Sequence, residues 1–179
     1  MKEKINVSDY AQHIQEALPR GILLNTMGDK FNAMVIGWGH LGVIWGRRTF
    51  VVYVREGRYT KPQLDKTGEF TVSIPLEGPD GVINRVCGSL SGRDVDKVKE
   101  AGLTLAEPSV IRTPGILEYP ITLECRVLYS QELDPAAIPD KDIPILAGDI
   151  CRDISSQLKF PGLIKVTVIR ELRCVEYAK

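Results

Sequence analysis

From Gly21 onward the apolar residues of this chain stop recurring at helical spacing. They come instead in short β-branched and aromatic runs parted by glycine and charged turns. GILLNTM (21–27) and FNAMVIGWG (31–39) are separated by Gly28-Asp29-Lys30, which predicts a hairpin with a short glycine-containing loop. TFVVYVR (49–55) and EFTVSIPL (69–76) read as further strands. ITLECRVLYSQEL (121–133) and LIKVTVIRELRCVEY (163–177) alternate apolar and polar residues, as half-exposed strands do. Helices are brief interruptions. SDYAQHIQEAL (8–18) offers Ser8 as a cap and puts Tyr10, Ile14 and Leu18 on one face, with His13 off that face and in solvent. KPQLDKTG (61–68) predicts a helix starting near Pro62, and SGRDVDKVKEAG (91–102) one that carries Val95 and Val98 and stops at Gly102. The strands lack the regular βαβ alternation of a parallel sheet. The pattern therefore predicts a mainly β fold with short helices, an antiparallel barrel, with DPAAIPDKDIP (134–144) as a surface loop.

A chain of 179 residues suffices for one domain with a real core, and residues 1–179 are read as one domain. Lysine plus arginine equals aspartate plus glutamate at 23 each, so no global field draws in nucleic acid or an anionic membrane. The N-terminal MKEKINVSDY has no apolar signal-peptide region, which favours the cytoplasm. Cys87, Cys125, Cys151 and Cys174 are scattered, without a CxxC pair or a histidine at ligand spacing. They read as free thiols, and no metal is expected.

The window FNAMVIGWGHLGVIWG (31–46) holds both tryptophans of the chain, Trp38 and Trp45, among four glycines. Glycine weakens strand interiors, so the combination asks whether something flat lies against this backbone. VREGRYTKP (54–62) brings Arg55, Arg58, Tyr59 and Thr60 from a strand into a helix start, whose free N–H groups offer an anion site. CGSLSGRDVDK (87–97) reads as a small-residue loop entering a helix, with Ser89, Ser91, Arg93 and Lys97 placed as an anion cradle. Each stretch alone has a plainer reading. The tryptophans can be core or interface residues, Arg58 a surface charge, and the third stretch a capped helix start.

In this order the stretches resemble the flavin reductase-like, FMN-binding split-barrel family, in particular its flavoredoxin branch. The Asn-x-Met-Thr-x-Gly-Trp-Gly strand of that family stands here as Asn32-Ala33-Met34-Val35-Ile36-Gly37-Trp38-Gly39. A Gly-Val-Ile-Trp-Gly turn follows at Gly42 to Gly46, then Val-Arg-x-x-Arg-Tyr-Thr at Val54 to Thr60. Glu69 to Val72 and Cys87 to Lys97 complete the set, and the resemblance runs from the N-terminal helix to about Leu133. It implies a Greek-key split β-barrel that binds FMN and pairs as a homodimer with its flavin sites near the interface. Asn32, Ala33, Met34 and Val35 would lie along the ring and Trp38 would wall it. Arg55, Tyr59, Thr60, Ser89, Ser91, Arg93 and Lys97 would hold the ribityl chain and phosphate. NADH or NADPH would be the electron donor, and no catalytic side chain or metal is implied.

Three departures stand out. Val35 replaces the usual threonine, and Ser89-Leu90 replaces Thr-Lys. GDICRDISSQLKFPGLIKV (148–166) lacks the histidine that the family carries before its last strand. The last departure opens a second expectation, an FMN electron carrier that a partner protein reduces. A third is a barrel that has lost its cofactor and serves as an interaction protein.

Overall fold

The computed structural model of the protein describes residues 3–132. The chain divides into two units, Met1–Leu128 and Tyr129–Lys179, and the architecture below is that of the first. The expectations placed on 134–144, 148–166 and 163–177, and on Cys151 and Cys174, lie outside the described residues.

A 3-10 turn, Val7–Tyr10, leads into helix α1 (Ala11–Ala17), and a second 3-10 turn, Leu18–Arg20, holds Pro19 and ends it. The cap differs from the expected Ser8: the Asn6 side chain accepts from the Ser8 N–H at 3.3 Å. His13 is half-buried and donates to the Pro75 carbonyl at 2.8 Å, rather than standing in solvent. Strands β1 (Ile22–Met27) and β2 (Phe31–Ile36) form the expected hairpin around Gly28-Asp29-Lys30. Among the described residues, strands β3 (Gly39–Ile44) and β4 (Arg47–Val52) pair only with each other. Their two-residue turn puts Trp45 at φ 48° and Gly46 at φ 72°, the doubly left-handed turn that matches strand twist. That turn sets the register, so β4 ends at Val52 opposite Gly39, short of the expected Arg55.

Helix α2 (Thr60–Thr67) precedes β5 (Glu69–Ile74). Helix α3 (Gly81–Ser89) was not expected, and it turns Cys87–Ser89 from a loop into a helix end. Its start is local chemistry: Asp80 accepts from the N–H groups of Val82 and Ile83. Helix α4 (Lys97–Ala101) is much shorter than the predicted 91–102, because Asp96 caps it by accepting from Val98 and Lys99. Two short strands, β6 (Leu105–Ala106) and β7 (Gly115–Ile116), precede β8 (Ile121–Arg126). The last stops before the expected Leu133 because its partner begins at Glu69, opposite Arg126.

The main sheet has the order β2-β1-β5-β8 and is antiparallel throughout, as the strand pattern predicts. Alternation at period two gives it two buried faces. Ile22, Leu24, Ile36, Val72 and Ile74 pack under Ile14 of α1, Leu18 of the 3-10 turn after it, and Leu64 of α2. Leu23, Phe31 and Ala33 pack under Ile83 and Cys87 of α3 with Ile116 and Tyr119. Burying one such aliphatic side chain contributes roughly 2 kcal/mol relative to exposure. Strand β2, at the edge, is held from both faces at once.

Candidate functional site at the edge strand

Asn32 and Met34 project from β2 toward α2, where Thr60 opens the helix. The Asn32 Nδ2 donates to Thr60 Oγ1 at 3.0 Å, and that hydroxyl donates to Met34 Sδ at 3.5 Å. Asn32 and Thr60 are each only 1% exposed. Asn32 Oδ1 is buried without a hydrogen-bond partner among the described residues. Leaving such an acceptor unpaired costs about 1–3 kcal/mol, which marks the atom as one a ligand could satisfy. A neighbouring network has the same character. Gln63 Oε1 accepts from Thr26 Oγ1 at 2.8 Å and from the Gly28 N–H at 3.3 Å, while its Nε2 has no partner among the described residues.

The turn Ser91–Val95 closes over this cluster. Ser91 Oγ accepts from the Arg93 N–H at 3.2 Å, and its carbonyl accepts from Asp94 and Val95. Gly92 is buried there, and a Cβ at this position would strike Asn32 Oδ1 and lie 2.8 Å from the Tyr59 ring. Only glycine lets the backbone approach so closely. Around the half-buried Tyr59, Lys30 Nζ stands 5.7 Å and Arg93 Cζ 5.8 Å from the ring centroid, within cation–π range. Arg93 Nη1 also donates to the Gly57 carbonyl at 3.2 Å, and Lys30 Nζ to the Val95 carbonyl at 3.4 Å. Three loops thus meet at one tyrosine with two cations.

Ala33 and Val35 occupy the opposite face of β2 and pack with the α3 side of the sheet. Lys97 is there too, 4% exposed, with Nζ 2.7 Å from the Ala33 carbonyl and 3.0 Å from that of Cys87. Burial lowers its pKa from the ordinary lysine value, and the Arg58 charge acts in the same direction. Burial likewise pushes the Cys87 thiol up to about 11. Neutral at physiological pH, that thiol is a packing group rather than a nucleophile.

The structure therefore gathers Asn32, Met34, Tyr59, Thr60, Ser91 and Arg93 on one side, and Ala33, Val35 and Lys97 on the other. Trp38 lies in the link after β2 at 54% exposure, and Ser89 is exposed at the last position of α3. Arg55 is half-buried in the loop before α2. The expected helix-start cradle in the third motif is closed, since Asp96 takes the first N–H groups of α4. The start of α2 has no such side-chain cap. Sequence reasoning missed Lys30, read only as part of a turn, and the role of Gly92 inside its polar stretch. A glycine between Ser91 and Arg93 was the available signal.

Residues 16–152 match the family described as the flavin reductase like domain. Flavoredoxin from Methanosarcina acetivorans is 28% identical with a TM-score of 0.54, covering 63% of this chain and 59% of its own. An uncharacterized protein of Archaeoglobus fulgidus is 28% identical over 153 residues, 84% of this chain and 82% of that one. Ribonuclease Y of Treponema pallidum is 50% identical over 56 residues, 31% of this chain. The chain spans about a tenth of the length of that curated relative, 10%. With a family match reaching across all three motifs and an antiparallel architecture shared with flavoredoxin, this chain belongs to the flavin reductase-like family.

Proposed function

We propose that this protein binds FMN at the edge of β2 and serves as an oxidoreductase that carries a hydride or electrons from NADH or NADPH to an acceptor. The observation that carries the reading is the convergence on Asn32. A buried, unpaired Oδ1, a glycine backbone pressed against it, and two cations flanking Tyr59 lie together beside an edge strand. These residues fit the group. A flavin nucleotide needs hydrogen-bonding partners at its ring edge, close main chain, and positive charge for its phosphate. Family membership and the 28% identity to a flavoredoxin support the same reading.

When bound, the flavin would supply the hydride and electron chemistry, and the protein supplies binding and orientation. Asn32 and Met34 would face the ring, fixed in orientation by Thr60. Arg93 and Lys30, with Arg55 and Ser91, would serve the phosphate side. A homodimer in the cytoplasm belongs to the proposal. The β3–β4 ribbon supports pairing, because Val43 is 70% and Trp45 97% exposed in the single chain. Among the described residues no helix is long and apolar enough to cross a membrane.

The test is a visible spectrum of the purified full chain, followed by anaerobic addition of NADH or NADPH. A yellow protein that bleaches directly is expected. Protein that stays colourless after FMN is supplied would end the reading. A second reading, an FMN electron carrier reduced by a partner, is favoured by the missing histidine in 148–166. It predicts a yellow protein that bleaches only when a separate reductase is added.

A further inference from the structure

We infer that Lys97 is a positioning residue, a buried brace that locks the flavin-facing strand β2 onto α3, and not a ligand of the cofactor phosphate. The inference rests on the FMN reading above and changes the part that Lys97 plays in it. Its ammonium bridges two main-chain carbonyls from separate elements, Ala33 in the strand and Cys87 near the C-terminal end of α3. No carboxylate pairs with it among the described residues. A buried cation needs compensation, and here carbonyl dipoles supply it. The Cys87 carbonyl belongs to the last turn of α3, where the helix dipole is negative and a cation is favoured.

Geometry separates this group from the anion side. Ala33 turns its side chain toward α3, whereas its neighbours Asn32 and Met34 turn theirs toward Thr60. At 4% exposure, with two donors already engaged, Nζ has little surface to offer a phosphate approaching from solvent. Arg93 is exposed and Lys30 half-buried, and these are placed to meet one. The brace acts through the backbone instead. It fixes the Ala33 peptide, and with it the position of Asn32 on one side and Met34 on the other.

Riboflavin, which lacks the phosphate, separates the two roles. Lys97→Met should weaken FMN and riboflavin by the same factor, about tenfold, leaving their affinity ratio unchanged. Arg93→Ala should weaken FMN selectively. Selective loss of FMN in Lys97→Met, or unchanged affinity for both flavins, would overturn the brace. Because the methionine variant can fail to fold, the wild-type chain provides a second arm through lysine acetylation read by mass spectrometry. Lys97 should stay unmodified with and without FMN. Modification that FMN suppresses would overturn the inference in favour of a phosphate ligand. Wild-type protein that binds neither flavin sinks the FMN reading itself, a result distinct from either failure of the brace.

Discussion

The window 31–46 reads as one apolar run, yet its two parts meet opposite fates. Its first part becomes β2, paired with β1 and packed from both faces, with Asn32 1% exposed. The later part becomes β3 and the tip of a two-stranded ribbon, where Trp45 is 97% exposed. Strand β2 itself holds neither glycine nor tryptophan, whereas Gly39, Gly42, Trp45 and Gly46 lie in β3 and its turn, with Gly37 and Trp38 in the link between. Partners differ as well. Among the described residues, β2 lies at the edge of a four-stranded sheet with helices above and below, whereas β3 is hydrogen-bonded to β4 alone. A two-stranded ribbon cannot bury both of its faces by itself. Chemistry that needs fixed geometry belongs on the first half, and surface recognition on the second.

The harshest way to break this comparison is at Gly92. Gly92→Val adds a side chain where a single Cβ already collides with Asn32 and Tyr59. We expect FMN affinity to fall about a hundredfold, with about 1–3 kcal/mol of stability lost to overpacking. Flavin fluorescence titration and urea denaturation measure the two separately. Asn32→Asp comes next. It preserves shape but exchanges the donor to Thr60 for a buried charge, and should cost about 3 kcal/mol in urea. Retention of wild-type stability would show that the Asn32 pocket is wetter than its burial implies.

The unequal halves also explain what the sequence made legible. The hairpin around Gly28-Asp29-Lys30 and the β5 strand could be read directly, since turn residues and β-branched runs are local signals. Helix α3 was hidden because Gly81, Gly88 and Ser89 depress helix propensity, while the Asp80 cap and the burial of Ile83, Val86 and Cys87 override it. Asn32 and Thr60 were legible through the family motif, but not the bond between them, which joins residues 28 positions apart. Lys97 was legible as a cation of the third motif, but only three-dimensional packing places its ammonium between two carbonyls.

The ribbon gives a smaller and sharper contrast. Trp45 holds φ 48° at the turn, a conformation asparagine tolerates better than tryptophan does. Trp45→Asn should therefore stabilise the isolated chain by about 0.5 kcal/mol, since nearly all of the removed ring is in solvent. If the ribbon is where two copies meet, the same change should shift sedimentation toward the monomer. An unaltered dimer would remove the ribbon tip from the interface.

Acid should produce the mildest effect, on the packed side alone. Glu69 begins β5, and its carboxylate accepts from the Arg112 N–H at 3.0 Å and from Arg126 Nε at 3.5 Å. The Arg112 backbone bond is the main cause that holds its pKa below the ordinary glutamate value, with both guanidinium groups assisting. A carboxylate whose folded pKa is lowered stabilises the fold above its unfolded pKa, near 4.3 for glutamate. That contribution fades as pH falls through the lowered folded value. Glu69→Gln should therefore flatten the acid limb of a stability-versus-pH curve below about pH 4.3 and leave the neutral limb parallel to wild type. Since Glu69 ties β5 to β8 and to the loop at Arg112, while β3 and β4 share no strand hydrogen bonding with that sheet among the described residues, amides of the main sheet should lose protection in acid before those of the ribbon change. Simultaneous loss in both would mean that the two halves are coupled more tightly than their separate pairing suggests.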